Sequence, residues 1–186
     1  GCGGTLARIA AAGGRVTMVI ATVPDRFEVR AAEAKAGAAV LGAELILVED
    51  GRALRLEELA MNELVARLAR FVADRDPDLV ITLGSREQHW DHALVNRGAV
   101  CAVRRSRCDL ITFATSPALD PVGQPVGRCY ADITSTIDKT LAAMACHVSQ
   151  GFTPERCEGR RDIARAVGLL HGGRYAETFE PLRIAL

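Results

Sequence analysis

Between residues 61 and 72 the apolar side chains Met61, Leu64, Val65, Leu68, Phe71 and Val72 recur at i, i+3, i+4, i+7, i+10 and i+11. That spacing gathers them on one face of a helix. The pattern predicts a helix from about Leu54 to Asp74, stopped by Pro77. Elsewhere the period disappears: "RVTMVIATV" from Arg15 is a β-branched run and predicts a buried strand. "AELILVED" from Ala43, "DLVITLG" from Asp78 and "DLITFAT" from Asp109 predict three more strands. Helical stretches separate them. The first opens with glycines, takes Thr5 as its N-cap and stops at Gly13 and Gly14. An alanine-rich helix is expected from about Phe27 to Leu41, and another follows the third strand to about Arg104. Two more are expected over Ser135 to Val148 and Pro154 to Leu170, ahead of a mixed tail. Pro117, Pro121 and Pro125 assign the stretch from Ser116 to Gly127 to a surface loop.

Strands alternating with helices predict an α/β fold, a Rossmann-like three-layer sandwich whose mostly parallel sheet is covered on both faces. A length of 186 residues suits a single domain over 1–186. In such sheets ligands bind beyond the carboxyl ends of the strands, and Asp25, Asp50 and the pair His89 and His92 all fall there.

Charge narrows the partners. Lysine plus arginine number 23 and aspartate plus glutamate number 23, so no overall field draws the chain to nucleic acid or to an anionic membrane. No apolar run approaches the ~20 residues that span a bilayer. The six cysteines contain no CxxC pair, are read as reduced thiols and point to the cytoplasm. The sequence opens at Gly1 without methionine. The expectation is that something upstream is absent, and a signal peptide stays open. The oligomeric state is open as well, a homo-oligomer included.

The most concentrated chemistry is in "SREQHWDHALVNR", residues 85–97. Three positions apart, His89 and His92 face the same way if a helix begins near Trp90, and Asp91 between them can orient an imidazole. One ring could bind a metal while the other donates a proton or stabilises an oxyanion. The plainer reading is a helix start at which Asp91 favours the dipole and the histidines are exposed loop groups. Two histidines are too few for a catalytic zinc, which takes about three protein ligands and a water.

"HWDH" after a strand ending in "ITLG" resembles the His-x-Asp-His motif of the LmbE-like, or PIG-L, zinc-dependent deacetylases. "GCGGTLARIAAAG", "RAAEAKAGAAVLGA", "EDG", "DPDLVIT", "DKTLAAMACHVSQ" and "YAETFE" agree with that family in order, over nearly the whole chain. The resemblance implies a zinc-dependent amidohydrolase that removes an N-acetyl or N-acyl group from an N-acetylglucosamine-type sugar or glycoconjugate. By the same resemblance His92 is the zinc ligand. His89 stabilises the oxyanion and protonates the leaving amine, and Asp91 is its orienting carboxylate. Arg30 and Asp50 match sugar-binding positions; a helix salt bridge and an ordinary turn aspartate account for them equally well.

The family's first motif, Ala-His-Pro-Asp-Asp-Glu, carries its other two zinc ligands and its general base, directly upstream of a GCGG turn. None of these residues is in this chain, so the first strand is expected to be missing. The loop over "ATVPDRFEVRAAE" is shorter than the family's, and residues near Asp25 and Arg26 are expected to be missing too. Glu87 stands where the family often has tyrosine, which puts a substrate contact in doubt. His147 in "HVSQ" fits a family signature and a capped helix end alike, and His171 reads as a helix terminus. Two other functions compete: a noncatalytic sugar-binding remnant lacking two metal ligands, and a dinucleotide site at "GCGG". The second lacks the GxGxxG spacing and a preceding strand.

Overall fold

The computed structural model describes residues 1–49, 51–115 and 129–185. In chain order the elements are α1 (Gly3–Ala11), β1 (Thr17–Ile20), α2 (Phe27–Leu41), β2 (Glu44–Leu47), α3 (Met61–Arg75), β3 (Leu79–Leu83), α4 (Trp90–Ala102), β4 (Asp109–Phe113), β5 (Cys129–Asp132), α5 (Ile137–Ala145), α6 (Pro154–His171) and β6 (Ala176–Arg183). The protein is therefore mixed α/β, as the alternating pattern predicts. The chain divides into two compact units. One comprises Gly1, Arg55–Cys129 and Thr178–Leu186, the other Cys2–Leu54 and Tyr130–Glu177. The predicted loop over 116–127 lies outside the described residues.

In the second unit β1 and β2 pair in parallel, Thr17 opposite Glu44 through Ile20 opposite Leu47. The connection between them is α2, whose span agrees with its sequence pattern and which Gly42 closes in the left-handed region at φ 74. Ala7 of α1, Leu41 of α2 and Ala143 of α5 form one apolar cluster, with Leu6 and Met18 packed against it. Ile133, Ile137, Leu141, Ala164 and Tyr175 form another, across α5 and α6. The start of α1 is held from afar. Its expected cap, Thr5, sits inside the helix, and Cys2 takes the cap position without a side-chain bond. The carboxylate of Glu177, only 3% exposed, accepts instead from Gly4 N (2.9 Å), Thr5 N (2.8 Å) and Thr5 Oγ1 (2.6 Å). A buried carboxylate is thus satisfied by three donors, at a helix terminus whose dipole favours negative charge. Gly4 is required there by space, since a Cβ built on it would meet Ile133 Cγ2 at 2.7 Å.

In the first unit β3 and β4 run parallel in register, Leu79 opposite Asp109 through Leu83 opposite Phe113. β6 joins the other side of β4 in the antiparallel sense, pairing Pro181 with Ile111 and Glu180 with Thr112. Proline brings no N–H to a ladder, and the register shifts between Leu110 and Ile111 where Pro181 enters. Val103, Cys108 and Leu110 make the buried cluster of this unit, with Val72 and Val80 against it. The helix expected from Leu54 begins only at Met61. Ahead of it Leu56–Glu58 form a single 3-10 turn, with Glu58 Oε2 accepting from Arg55 N at 2.8 Å and Leu56 fully buried. Ala60 then breaks the helical run with an extended backbone, φ −60 and ψ 134.

Candidate active site at the carboxyl end of β3

The register of the parallel pair ends at Leu83 and Phe113. One more bond extends it, from Gly84 N to Phe113 O at 2.9 Å. The chain then turns, and α4 begins at Trp90, with His89 in the extended cap position at φ −70 and ψ 122. Asp91 occupies the first turn, where a carboxylate complements the helix dipole. Asn96, buried one helical turn beyond His92, anchors the helix to the strand end. Its Nδ2 donates to Leu83 O at 2.6 Å. Gly98 brings α4 close to α3, because a Cβ there would lie 3.0 Å from Leu64 Cδ2. Helix and strand end are therefore fixed by a hydrogen bond, and the helix is seated further by a tight apolar contact.

The two histidines lie together. Their ring centroids are 4.5 Å apart and stacked, with 27° between the planes. That is the geometry expected of positions three apart where one caps the helix. His92 Nδ1 lies 3.1 Å from Glu87 Oε2. The same carboxylate accepts from Thr115 N through Oε1 (2.6 Å) and from Thr115 Oγ1 through Oε2 (2.6 Å). Burial alone would raise the Glu87 pKa. The hydrogen bonds from the Thr115 side chain and backbone and from His92 outweigh it and hold the carboxyl below its ordinary value. An ionised carboxylate only accepts, so Nδ1 is the His92 nitrogen that faces an acceptor. Nε2 makes no hydrogen bond among the described residues, on a side chain that is 32% exposed.

Asp91, expected to orient His89, makes no hydrogen bond to either imidazole among the described residues. The carboxylate that meets the His92 ring is Glu87, which the family pattern marks only as a departure that puts a substrate contact in doubt. Gly1 lies at the same strand end, where a Cβ built on it would come 3.9 Å from Phe113 Cε2. Arg30 belongs to the other unit. Its Nε is 3.3 Å from Asp25 Oδ1 but is not aligned for a hydrogen bond. Its Arg-x-x-Glu partner Glu33 instead accepts from Ser149 N at 2.6 Å and Ser149 Oγ at 2.7 Å. Asp50 lies outside the described residues. His147 is a packing residue in this unit, with Gln150 Nε2 3.0 Å from its Nδ1 and Phe152 edge-on to its ring. His171, the last residue of α6, stacks on Tyr130.

His92 fits a metal ligand: a partly exposed imidazole with one nitrogen engaged by a carboxylate and the other available. It fits as one ligand. Among the described residues no group of three or more His, Cys, Asp or Glu side chains is placed to hold a metal ion. No described helix is long and apolar enough to cross a membrane.

Three solved structures extend the picture. A conserved protein from Thermus thermophilus superposes with a TM-score of 0.79 and 25% identity, over 100% of this chain and 90% of its own. The 4-carboxy-2-hydroxymuconate hydratase of Pseudomonas putida gives 0.78 and 19% over 99% and 90%. The N,N'-diacetylchitobiose deacetylase of Pyrococcus horikoshii gives 0.71 and 19% over 98% and 78%. At such identities the last two likenesses are of fold. Comparison with curated proteins returns no match. The family model described as PIG-L, GlcNAc-PI de-N-acetylase, matches residues 1–103, more than half of the chain and the whole of the histidine segment. This chain belongs to the PIG-L, or LmbE-like, family.

Proposed function

We propose that this chain is a zinc-dependent amidohydrolase, one that removes an N-acetyl or N-acyl group from an N-acetylglucosamine-type sugar or glycoconjugate, with His92 as one of its metal ligands. One observation carries the reading: in a chain of this family, His92 sits at the carboxyl end of β3 with Nδ1 engaged by Glu87, Nε2 available and His89 stacked beside it. His92 would hold the metal through Nε2. The chemistry zinc supplies when bound is polarisation of the amide carbonyl and activation of water near neutral pH. A catalytic zinc takes about three protein ligands, and His92 is the one assigned among the described residues.

The other roles fall to this chain's own groups. His89, one face against His92, is the group that donates a proton to the departing amine and favours the oxyanion. Asp91, next to it in the first turn of α4, is assigned by the family motif as its orienting carboxylate. Arg30 and Asp50 are assigned to the sugar hydroxyls.

Acetate release by the full-length protein, from a panel of N-acetylated aminosugars with and without chelator, tests the proposal. Metal-dependent release that His92→Ala abolishes is the expected result. A fold shared with a hydratase makes the negative outcome informative: no release from any member of the panel would overturn the deacetylase reading.

A further inference from the structure

We propose that Glu87 is a positioning residue: it fixes the tautomer and the stance of His92, so that Nε2 presents a lone pair and not a proton. Free imidazole side chains in water prefer the proton on Nε2, the wrong nitrogen for a ligand that is to bind through Nε2. Glu87 reverses this preference by geometry. Its Oε2 is 3.1 Å from His92 Nδ1, and its side chain is only 9% exposed. The carboxylate cannot turn away, because Thr115 donates to both of its oxygens, N to Oε1 and Oγ1 to Oε2, each at 2.6 Å. Thr115 follows β4 and Glu87 follows β3, and the two strands are themselves in register to their last residues. The ring orientation of His92 is thus set by the sheet through Thr115 and Glu87, and independently by α4 through Asn96.

The arrangement makes a sharp demand on residue 87. Thr115 N is a donor that cannot become an acceptor, so the atom facing it must be an oxygen. In Glu87→Gln the amide oxygen is drawn to that position and the NH2 is left facing His92 Nδ1. The ring must then accept at Nδ1 and carry its proton on Nε2. A nearly isosteric change therefore inverts the tautomer.

The test is two-bond 15N–1H correlation on 15N-histidine-labelled, metal-free full-length protein, at a pH where the rings are neutral. The His92 signals are assigned by their loss in His92→Ala. The wild type is expected to show the Nδ1–H tautomer and Glu87→Gln the Nε2–H tautomer, while Glu87→Ala drifts toward the free-imidazole preference. Circular dichroism checks that each variant is folded. A wild-type His92 protonated on Nε2 overturns the inference, and so does a folded Glu87→Gln whose His92 tautomer is unchanged. Should Glu87→Gln not fold, the wild-type tautomer decides.

The value of the device to the protein rests on the metal-ligand reading, and the two fail separately. Zinc affinity of the full-length protein is expected to fall about 10- to 100-fold in Glu87→Gln, the usual cost of losing a carboxylate behind a ligating histidine. The predicted tautomers in a protein that binds no zinc would keep the positioning role and overturn the metal reading.

Discussion

Asn96 Nδ2 donates to the carbonyl of Leu83 across 2.6 Å, tying the second turn of α4 to the last residue of β3. The asparagine is only 5% exposed, and the carbonyl it satisfies lies at a strand end where the ladder gives out. Truncation in Asn96→Ala leaves that acceptor without its donor, a loss of about 1–3 kcal/mol. The expected outcome is a lower denaturant midpoint with an unchanged m-value, together with altered His92 ring chemical shifts, since the helix carrying the ring loses its anchor. A variant as stable as wild type, with unmoved ring signals, would show that α4 is held by apolar packing alone.

Gly4 tests the seat of α1. A Cβ on it would fall within 2.7 to 2.9 Å of three atoms of the Ile133 side chain, which is itself 1% exposed and β-branched. Ile133 has little rotamer freedom with which to yield. Gly4→Ala is expected to destabilise by about 1–3 kcal/mol, the usual scale of overpacking, even though alanine is the better helix former. The double variant Gly4→Ala with Ile133→Val should recover part of the loss. Calorimetric stabilities that simply add would argue against a direct clash.

His147 gives stability a pH dependence of definite sign. Burial lowers its pKa, and the nearby Glu33 carboxylate offsets only part of the effect. The unfolded ring, near the ordinary value of about 6.5, therefore takes up a proton at a higher pH than the folded ring does. Because the unfolded state binds more protons, stability rises with pH through this window. The contribution is fully present above about 6.5 and is lost as pH falls through the folded value. Subtracting the pH–stability curve of His147→Gln from that of wild type isolates the contribution. A difference curve that is flat, or that falls with rising pH, contradicts the packing described for this ring.

Thiol reactivity should divide the cysteines by environment. Cys101 and Cys129 are exposed, whereas Cys108 and Cys157 are buried. Cys2 is half-buried, and desolvation of its thiol with the neighbouring Glu177 carboxylate pushes it up to about 12, leaving almost no thiolate at neutral pH. Iodoacetamide applied to the native protein is expected to label Cys101 and Cys129 first and to spare Cys2 until unfolding. Rapid native labelling of Cys2, read by peptide mass mapping, would mean that the start of α1 is open and not clamped by Glu177.

Local signals in the sequence were enough to locate most elements. The alanine-rich run from Phe27 to Leu41 and the strand "DLVITL" emerge where their composition and periodicity place them, and α4 starts at Trp90, the condition under which His89 and His92 share a face. What escaped depends on distant partners. Thr5 looks like a cap, yet the group that satisfies the helix start is a carboxylate 172 residues away. Leu54 and Leu56 continue the apolar series of α3, but they are buried by an extended segment and a 3-10 turn and not by a longer helix. β6 carries Pro181 in its interior, which argues against a strand unless the register shift is known. The same holds at the site. The histidine pair was legible from its spacing and from its likeness to a family motif. Glu87 was visible only as a departure from that motif, because its role follows from Thr115, beyond a strand and a helix. An acidic residue shortly before a helix-opening histidine is the one local hint, and it cannot say which ring it will meet.

The central claim is that the Nε2 of His92 is a metal ligand. It is tested most directly by equilibrium zinc binding to the full-length protein, wild type against His92→Ala, with the chain's single tryptophan, Trp90, as an exposed fluorescent reporter two residues away. One tight site per chain is expected, weakened at least about 100-fold by His92→Ala, as befits the loss of one of three protein ligands. Zinc bound equally well by both proteins would contradict the account.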